Sequence, residues 1–319
     1  MSAVTIEDDS EIGALQVPLD HADPVVRRLA VAQAADLAHD APALFARASR
    51  DGDAGVRLEA VRALEGEAAP ETVTALVDRL DDVDAEVAAA AAQSLAEILD
   101  PAAGPILLHR LTDVQGPAKA AILAALRVLR QPDAAVPAIA ALADPWPAVR
   151  REAVGVLAYL KDSQAVAALS DCIYHDADAD VRRGAIGALR FAEAAALPAL
   201  LHALGDADWQ NREEAAVTLA KLNLPDATVG LIAALSDSYW QVRLKAAIAL
   251  GSLKASAAVP GLIDSLGHPI SNLRKEAANA LGEIGDRRAI AALTEVQSDP
   301  DVEVRKAVAR ALNALDSAP

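Results

Sequence analysis

A chain of 319 residues with a formal net charge of −17 repels phosphate backbones, which excludes nucleic acid as a general partner and favours a basic or mixed-charge protein surface. Its one cysteine, Cys172, excludes an intrachain disulfide and a thiolate metal cluster. Aromatic side chains make up only 3% of the chain, so helices must pack through Leu, Val and Ala and can approach closely.

Residues 1–13 are expected to form an acidic tail. Met1 to Glu11 have neither the basic start nor the apolar stretch of a signal peptide. No later apolar run reaches the length of a bilayer span. A soluble protein of the reducing cytoplasm is expected, with no membrane partner.

From residue 14 onward an arginine, in most units directly after a valine, returns about every 31 residues, the period range of helical solenoids. The arginines are Arg27, Arg57, Arg150, Arg182, Arg212, Arg243, Arg274 and Arg305, and Ala88 and Lys119 complete the series. About ten such units use up residues 14–319 as one elongated domain without a central core. Each unit predicts two helices. Pro42, Pro105, Pro137, Pro198 and Pro260 mark the starts of first helices, where a missing N–H is tolerated. In the eighth unit the spacing predicts a first helix over 226–235, a turn over 236–239 and a second helix over 239–253. Val242, Ala246, Ala247, Leu250 and Leu253 make one apolar stripe on that second helix. Three residues after the arginine stands Ala, with Ile122 and Val308 as exceptions; seven after stands Leu, with Ala34 as exception.

Six residues before the arginine position stands Asp51, Asp82, Asp113, Asp144, Asp176, Asp206, Asp237 or Asp299, with His21 and His268 in two units. Proline follows at Pro145 and Pro300, the pattern of a helix cap and a first helical residue, so this aspartate is expected to cap the second helix. It can also meet an arginine of an adjacent unit. The expected ladder joins Asp51, Arg57, Asp144, Arg150, Asp176, Arg182, Asp206, Arg212, Asp237, Arg243, Asp299 and Arg305, and weakens at Ala88 and Lys119.

Two helices per unit, an early proline in the first, and Asp six residues before Val-Arg in the second resemble HEAT repeats. The short unit, and the stretch from Leu281 through Gly-Glu-Ile-Gly-Asp-Arg-Arg to Leu293, resemble the phycobilisome-lyase-type HEAT-like subgroup. The resemblance covers residues 14–315. It implies an all-α fold: an α-solenoid, wound as a right-handed superhelix, of about ten 31-residue HEAT-like helix-pair repeats. Tetratricopeptide and ankyrin signatures are absent.

The resemblance also implies that second helices line a concave surface, with positions one, two, five and nine after the arginine facing it. Val128, Tyr159 and Phe191 hold the ninth position in consecutive units, and Ala120, Ala121, Ala124, Gly155 and Gly187 lie beside them. Such a row makes a shallow apolar depression; packing against the neighbouring unit is the alternative role. Arg151, Arg183, Lys221 and Lys245 are the basic neighbours and Glu213 an acidic one, a mixed pattern suited to a protein surface. Trp209 and Trp240 share one template position and are expected to pack over turns. No histidine is followed by Glu, so the carboxylate–histidine set of HEAT-like iron hydroxylases is missing. Asp176, Asp178 and Asp180 lack the glycine and glutamate of a calcium loop. Cys172 reads as a buried, inert thiol. No metal or cofactor is expected, and no catalytic constellation is found. The reading is a non-enzymatic interaction scaffold that binds a protein through its concave face. The alternative, implied by the subgroup resemblance, is a bilin lyase or chromophore chaperone holding a tetrapyrrole between an apolar depression and arginines.

Overall fold

Apolar positions at helical spacing, broken every dozen or so residues by Asp, Pro and Gly, fold into short paired helices. The computed structural model describes residues 18–37, 41–66 and 68–317; the expected tail lies outside them. Nineteen α-helices and no strand occur among the described residues.

The chain divides into two compact units, one ending at Leu160 and one beginning at Lys161. The first holds α1 (Pro24–Leu37), α2 (Pro42–Ala48), α3 (Ala54–Ala63), α4 (Pro70–Arg79), α5 (Ala85–Glu97), α6 (Gly104–Arg110), α7 (Gly116–Val128), α8 (Ala135–Ala141) and α9 (Pro147–Leu160). The second holds α10 (Ala165–His175), α11 (Ala179–Ala188), α12 (Leu197–Ala203), α13 (Trp209–Leu222), α14 (Thr228–Ala234), α15 (Trp240–Ser252), α16 (Val259–Ser265), α17 (Ser271–Ile284), α18 (Ile290–Glu295) and α19 (Val302–Ser317).

Within each unit the second helices stack on one another: α1, α3, α5, α7 and α9 in the first, and α11, α13, α15, α17 and α19 in the second. First helices pack on their own second helix and form the other layer. The small residue three after the arginine is buried in every repeat, from Ala30 to Val308. The large residue seven after is buried from Ala34 to Leu281. Leu312, in α19, is only half-buried, with no further helix over it among the described residues. Small against large at fixed spacing is what lets successive helices interlock.

Several first helices are only seven residues long and follow a 3-10 turn, as with Pro225–Ala227 before α14. Pro42, Pro105, Pro198 and Pro260 lie in the first two positions of their helices. There the lost N–H would have had no intrahelical partner.

The capping expectation needs correction. The cap lies four residues before the arginine, not six. Asp53 accepts the N–H groups of Gly55 and Val56 at 2.9 and 3.2 Å. Asp84, Asp178 and Asp208 cap α5, α11 and α13 in the same way. The aspartate six before sits one turn earlier and accepts the N–H of the residue two further on, as Asp51 does from Asp53 at 2.8 Å. It therefore closes an Asx turn that feeds the cap. Pro145 and Pro300 lie inside this turn, ahead of the helices that begin at Pro147 and Val302.

At the other end of the second helix, the residue eleven after the arginine position takes a left-handed conformation. Arg130, Lys161, Glu193, Asn223, Lys254 and Gly285 have φ of 56°, 55°, 48°, 51°, 49° and 74°. This turn lets the chain reverse into the next first helix.

Candidate functional site

The arginine side chains run between adjacent repeats. Arg57 shows the full arrangement. Its Nε and Nη2 donate to the two oxygens of Asp82, in the next repeat, at 2.9 and 2.7 Å. Its Nη1 donates back to the carbonyls of Asp51 and Gly52, in its own turn, at 3.0 and 3.2 Å. One planar fork thus ties two repeats together. Arg27–Asp51, Arg182–Asp206, Arg212–Asp237 and Arg274–Asp299 repeat it, each with a shortest contact of 2.7 Å.

The carboxylates are held below the usual range for aspartate. For Asp82, Asp206 and Asp237 burial alone would push the carboxyl up, and the arginine fork with a backbone N–H overcomes it. Asp144 is also lowered against burial, by the Trp146 N–H and Lys119. For Asp51 and Asp299 the arginine is itself the largest influence.

The exceptions follow the sequence. At Lys119 the fork shrinks to a single contact, Nζ to Asp144 at 3.0 Å. At Ala88 there is no donor, and Asp113 is 55% exposed, against 2% for Asp82. Arg150 donates to the Asp144 carbonyl at 3.0 Å. Asp176 accepts from the Asp178 N–H at 2.9 Å. Arg305 donates to the Asp299 carbonyl at 2.7 Å. Arg243 bonds the Asp237 carbonyl through Nε; the next repeat offers His268 where a carboxylate would stand.

The predicted binding residues fall in both units. In the first, Val128 ends α7 and Tyr159 lies near the end of α9, 36% and 43% exposed. The Arg130 guanidinium lies 5.2 Å from the centre of the Tyr159 ring. Arg127 reaches Glu152 of α9 at 3.4 Å, and Arg151 is exposed on the same helix. In the second unit Arg183 pairs with Asp180 and donates to Gln210 of α13 at 3.2 Å. Glu213 and Lys245 approach at 3.8 Å from α13 and α15, and Lys221 is exposed.

Two details differ from expectation. Phe191 is not on the second helix: α11 ends at Ala188, and Phe191, itself half-buried, closes a 3-10 turn. The glycines expected to floor an apolar depression lie under charged side chains. A Cβ on Gly155 would come within 3.1 Å of the Arg127 chain, and one on Gly187 within 3.0 Å of Glu214. In each unit, the second-helix surface at its glycine is therefore polar and charged rather than an apolar depression.

Trp209 stacks on Tyr239 of the following turn, with centroids 5.3 Å apart and planes 9° from parallel. The sequence reading missed Asn211. It occupies the buried valine position of its repeat and is fully buried. Its amide lies near the Asp206 carboxylate and helps to lower it, yet neither amide atom makes a hydrogen bond of good geometry. The missing valine before Arg212 was its signal.

The family signature described as HEAT repeats matches residues 13–96, 41–127, 104–190, 135–219, 173–238 and 228–313. The chain belongs to the HEAT-repeat family. Its helix pairs form the α-solenoid characteristic of those repeats. The match is to HEAT repeats as a whole and does not distinguish the phycobilisome-lyase-type subgroup. No curated protein matches this HEAT-repeat chain in sequence. Among solved structures, an engineered protein is 22% identical with a TM-score of 0.60, over 97% of this chain and 100% of that one. The Escherichia coli protein YibA is 20% identical with a TM-score of 0.54, over 90% and 96%. Kap95p, solved with RanGDP, is 15% identical with a TM-score of 0.62; the HEAT-repeat chain is covered over 97% and spans 50% of Kap95p. At these identities the likeness is one of fold. Among the described residues no helix is long and apolar enough to cross a membrane.

Proposed function

We propose that this HEAT-repeat protein is a non-enzymatic scaffold of the cytoplasm that holds a protein partner against its second helices. The observation that supports this reading most is the second-helix surface itself. In the first unit it carries charges of both signs, paired from helix to helix by Arg127 and Glu152, beside an exposed Tyr159 and Val128. Exposed aromatic side chains among paired charges are common anchors of protein interfaces. The Ran-bound Kap95p structure shows that a protein of this fold can hold another protein. A tetrapyrrole would need an apolar cradle, and Arg127 and Glu214 occupy the space over the two glycines proposed to provide one.

The test places a photo-crosslinking amino acid at position 159 in the native host and identifies the protein joined to it. Purified partner is then titrated onto wild type and onto Tyr159→Ala. The reading expects affinity to fall at least tenfold with the melting midpoint unchanged. Equal affinity of the folded variant would remove Tyr159 from the interface.

A further inference from the structure

The broken rung between Arg243 and His268 has the chemistry of a small binding site. In five repeats the arginine fork receives a carboxylate from the following repeat, and Lys119 receives one too. At Arg243 the corresponding residue is His268. The imidazole replaces only half of what the aspartate does. Its Nδ1 accepts the Ile270 N–H at 3.1 Å, as the Asp237 carboxylate accepts the Tyr239 N–H at 2.8 Å. It supplies no negative charge to the guanidinium. Arg243 has also turned. The other fork arginines reach their own turn through Nη1, whereas Arg243 does so through Nε. Both of its terminal nitrogens are left to a different environment.

That environment is a cavity of about 300 Å³, lined by Arg243, His268, Ser236, Ser265 and Asp264 among others. Burial and the neighbouring Arg243 and Arg274 push the His268 imidazole down from its usual value, which disfavours its charged form. Asp264 is exposed at the rim and makes no ion pair with Arg243. Its presence is compatible with a second carboxylate. Asp78 holds the equivalent position, four residues before Asp82, and the Arg57–Asp82 fork closes beside it while Asp78 itself is held by Arg110 at 2.6 Å and Arg50 at 3.6 Å.

We propose that this cavity binds a carboxylate, which docks on the terminal nitrogens of Arg243 and completes the missing rung. The ligand is a small carboxylic acid or an acidic side chain of a bound polypeptide. The inference stands apart from the second-helix surface proposed above, and Tyr159 plays no part in it.

Thermal melting of the full chain tests it, in sodium acetate and in sodium chloride at equal ionic strength. N-acetyl-aspartic acid amide serves as a third arm that mimics a side chain. Binding to the folded state alone raises the midpoint with ligand concentration. A saturable rise of about 2 °C over chloride is expected in wild type. A rise with acetate alone points to a free acid; a rise with the blocked aspartate as well points to a polypeptide. His268→Asp supplies the carboxylate from within, so its midpoint in chloride should rise and its response to acetate disappear. Arg243→Gln should lose the response without the gain. Identical wild-type midpoints in acetate and chloride overturn the proposal. So does a response that survives in Arg243→Gln, and so does a lower midpoint for His268→Asp in chloride.

Discussion

Replacing Asp82 by Asn removes one negative charge from the most enclosed rung of the ladder while keeping its shape. The side chains of Arg57 and Asp82 are only 8% and 2% exposed. The carboxylate receives Arg57 at 2.9 and 2.7 Å, Arg79 at 3.3 Å and the Asp84 N–H at 3.0 Å. An asparagine turned to accept from one arm of the fork must point its own NH2 at the other, which sets donor against donor. A hydrogen bond to a charged group contributes about 1.5–3 kcal/mol, and breaking one side of a buried pair costs about 3–5 kcal/mol. Arg57 keeps its bonds to the Asp51 and Gly52 carbonyls, and the substituted side chain keeps the backbone bond, so a loss near the lower end, about 3 kcal/mol, is expected. The control is Glu59→Gln, whose partner Arg28 is 3.5 Å away and largely exposed; such pairs contribute about 0–1 kcal/mol. Urea unfolding followed by circular dichroism measures both. A loss below about 1 kcal/mol for Asp82→Asn, or one equal to the control, would refute the claim that the ladder carries stability.

Lys119→Arg should restore the fork on Asp144, which now receives one contact, and raise stability by about 1 kcal/mol in the same assay. Asn211→Val removes a buried amide without good hydrogen bonds and restores the packing of its repeat; a gain of about 1 kcal/mol is expected, and a loss would show that the contact with Asp206 outweighs the burial. Lys254→Gly relieves a left-handed backbone at φ 49° and should gain about 1 kcal/mol in calorimetry. The ladder also sets the response to acid. Asp51, Asp82, Asp144, Asp206, Asp237 and Asp299 are all lowered in the fold. Their stabilisation is therefore whole above the unfolded value of about 3.9 and is lost as pH falls through the lowered values. Melting midpoints should hold from neutral pH to about pH 5 as far as these groups are concerned and drop steeply below pH 4.

The repeat was legible because it is written in both burial and charge. The small and large positions after each arginine are the ones that fill the core, and the arginine–aspartate spacing is the distance between neighbouring turns. The cap was misplaced because the turn aspartate recurs more regularly than the capping residue does. Asp53 and Asp84 cap their helices, but Tyr239 and Ile270 stand at the same place without a side-chain bond. The left-handed turns were hidden because only Asn223 and Gly285 are residue types that favour one; Arg130, Lys161, Glu193 and Lys254 do not. Phe191 was placed on a helix by counting from Arg182. Gly184 and Gly187 weaken that helix, and it ends before Phe191 is reached. The charges of the second-helix face were readable as a mixture. Which glycine they would cover depends on side-chain reach, which spacing does not specify.

Each repeat presents an acceptor at its entering turn and a donor one helix later, aimed at whatever repeat comes next. The junction chemistry is therefore the same wherever Asp and Arg are both present. A gene segment encoding one repeat can be duplicated, deleted or exchanged at such a junction, and the new neighbours will still recognise each other. The chain can change length in steps of one repeat without redesigning its joints. The junctions at Ala88, Lys119 and Arg243 lack that interchangeability.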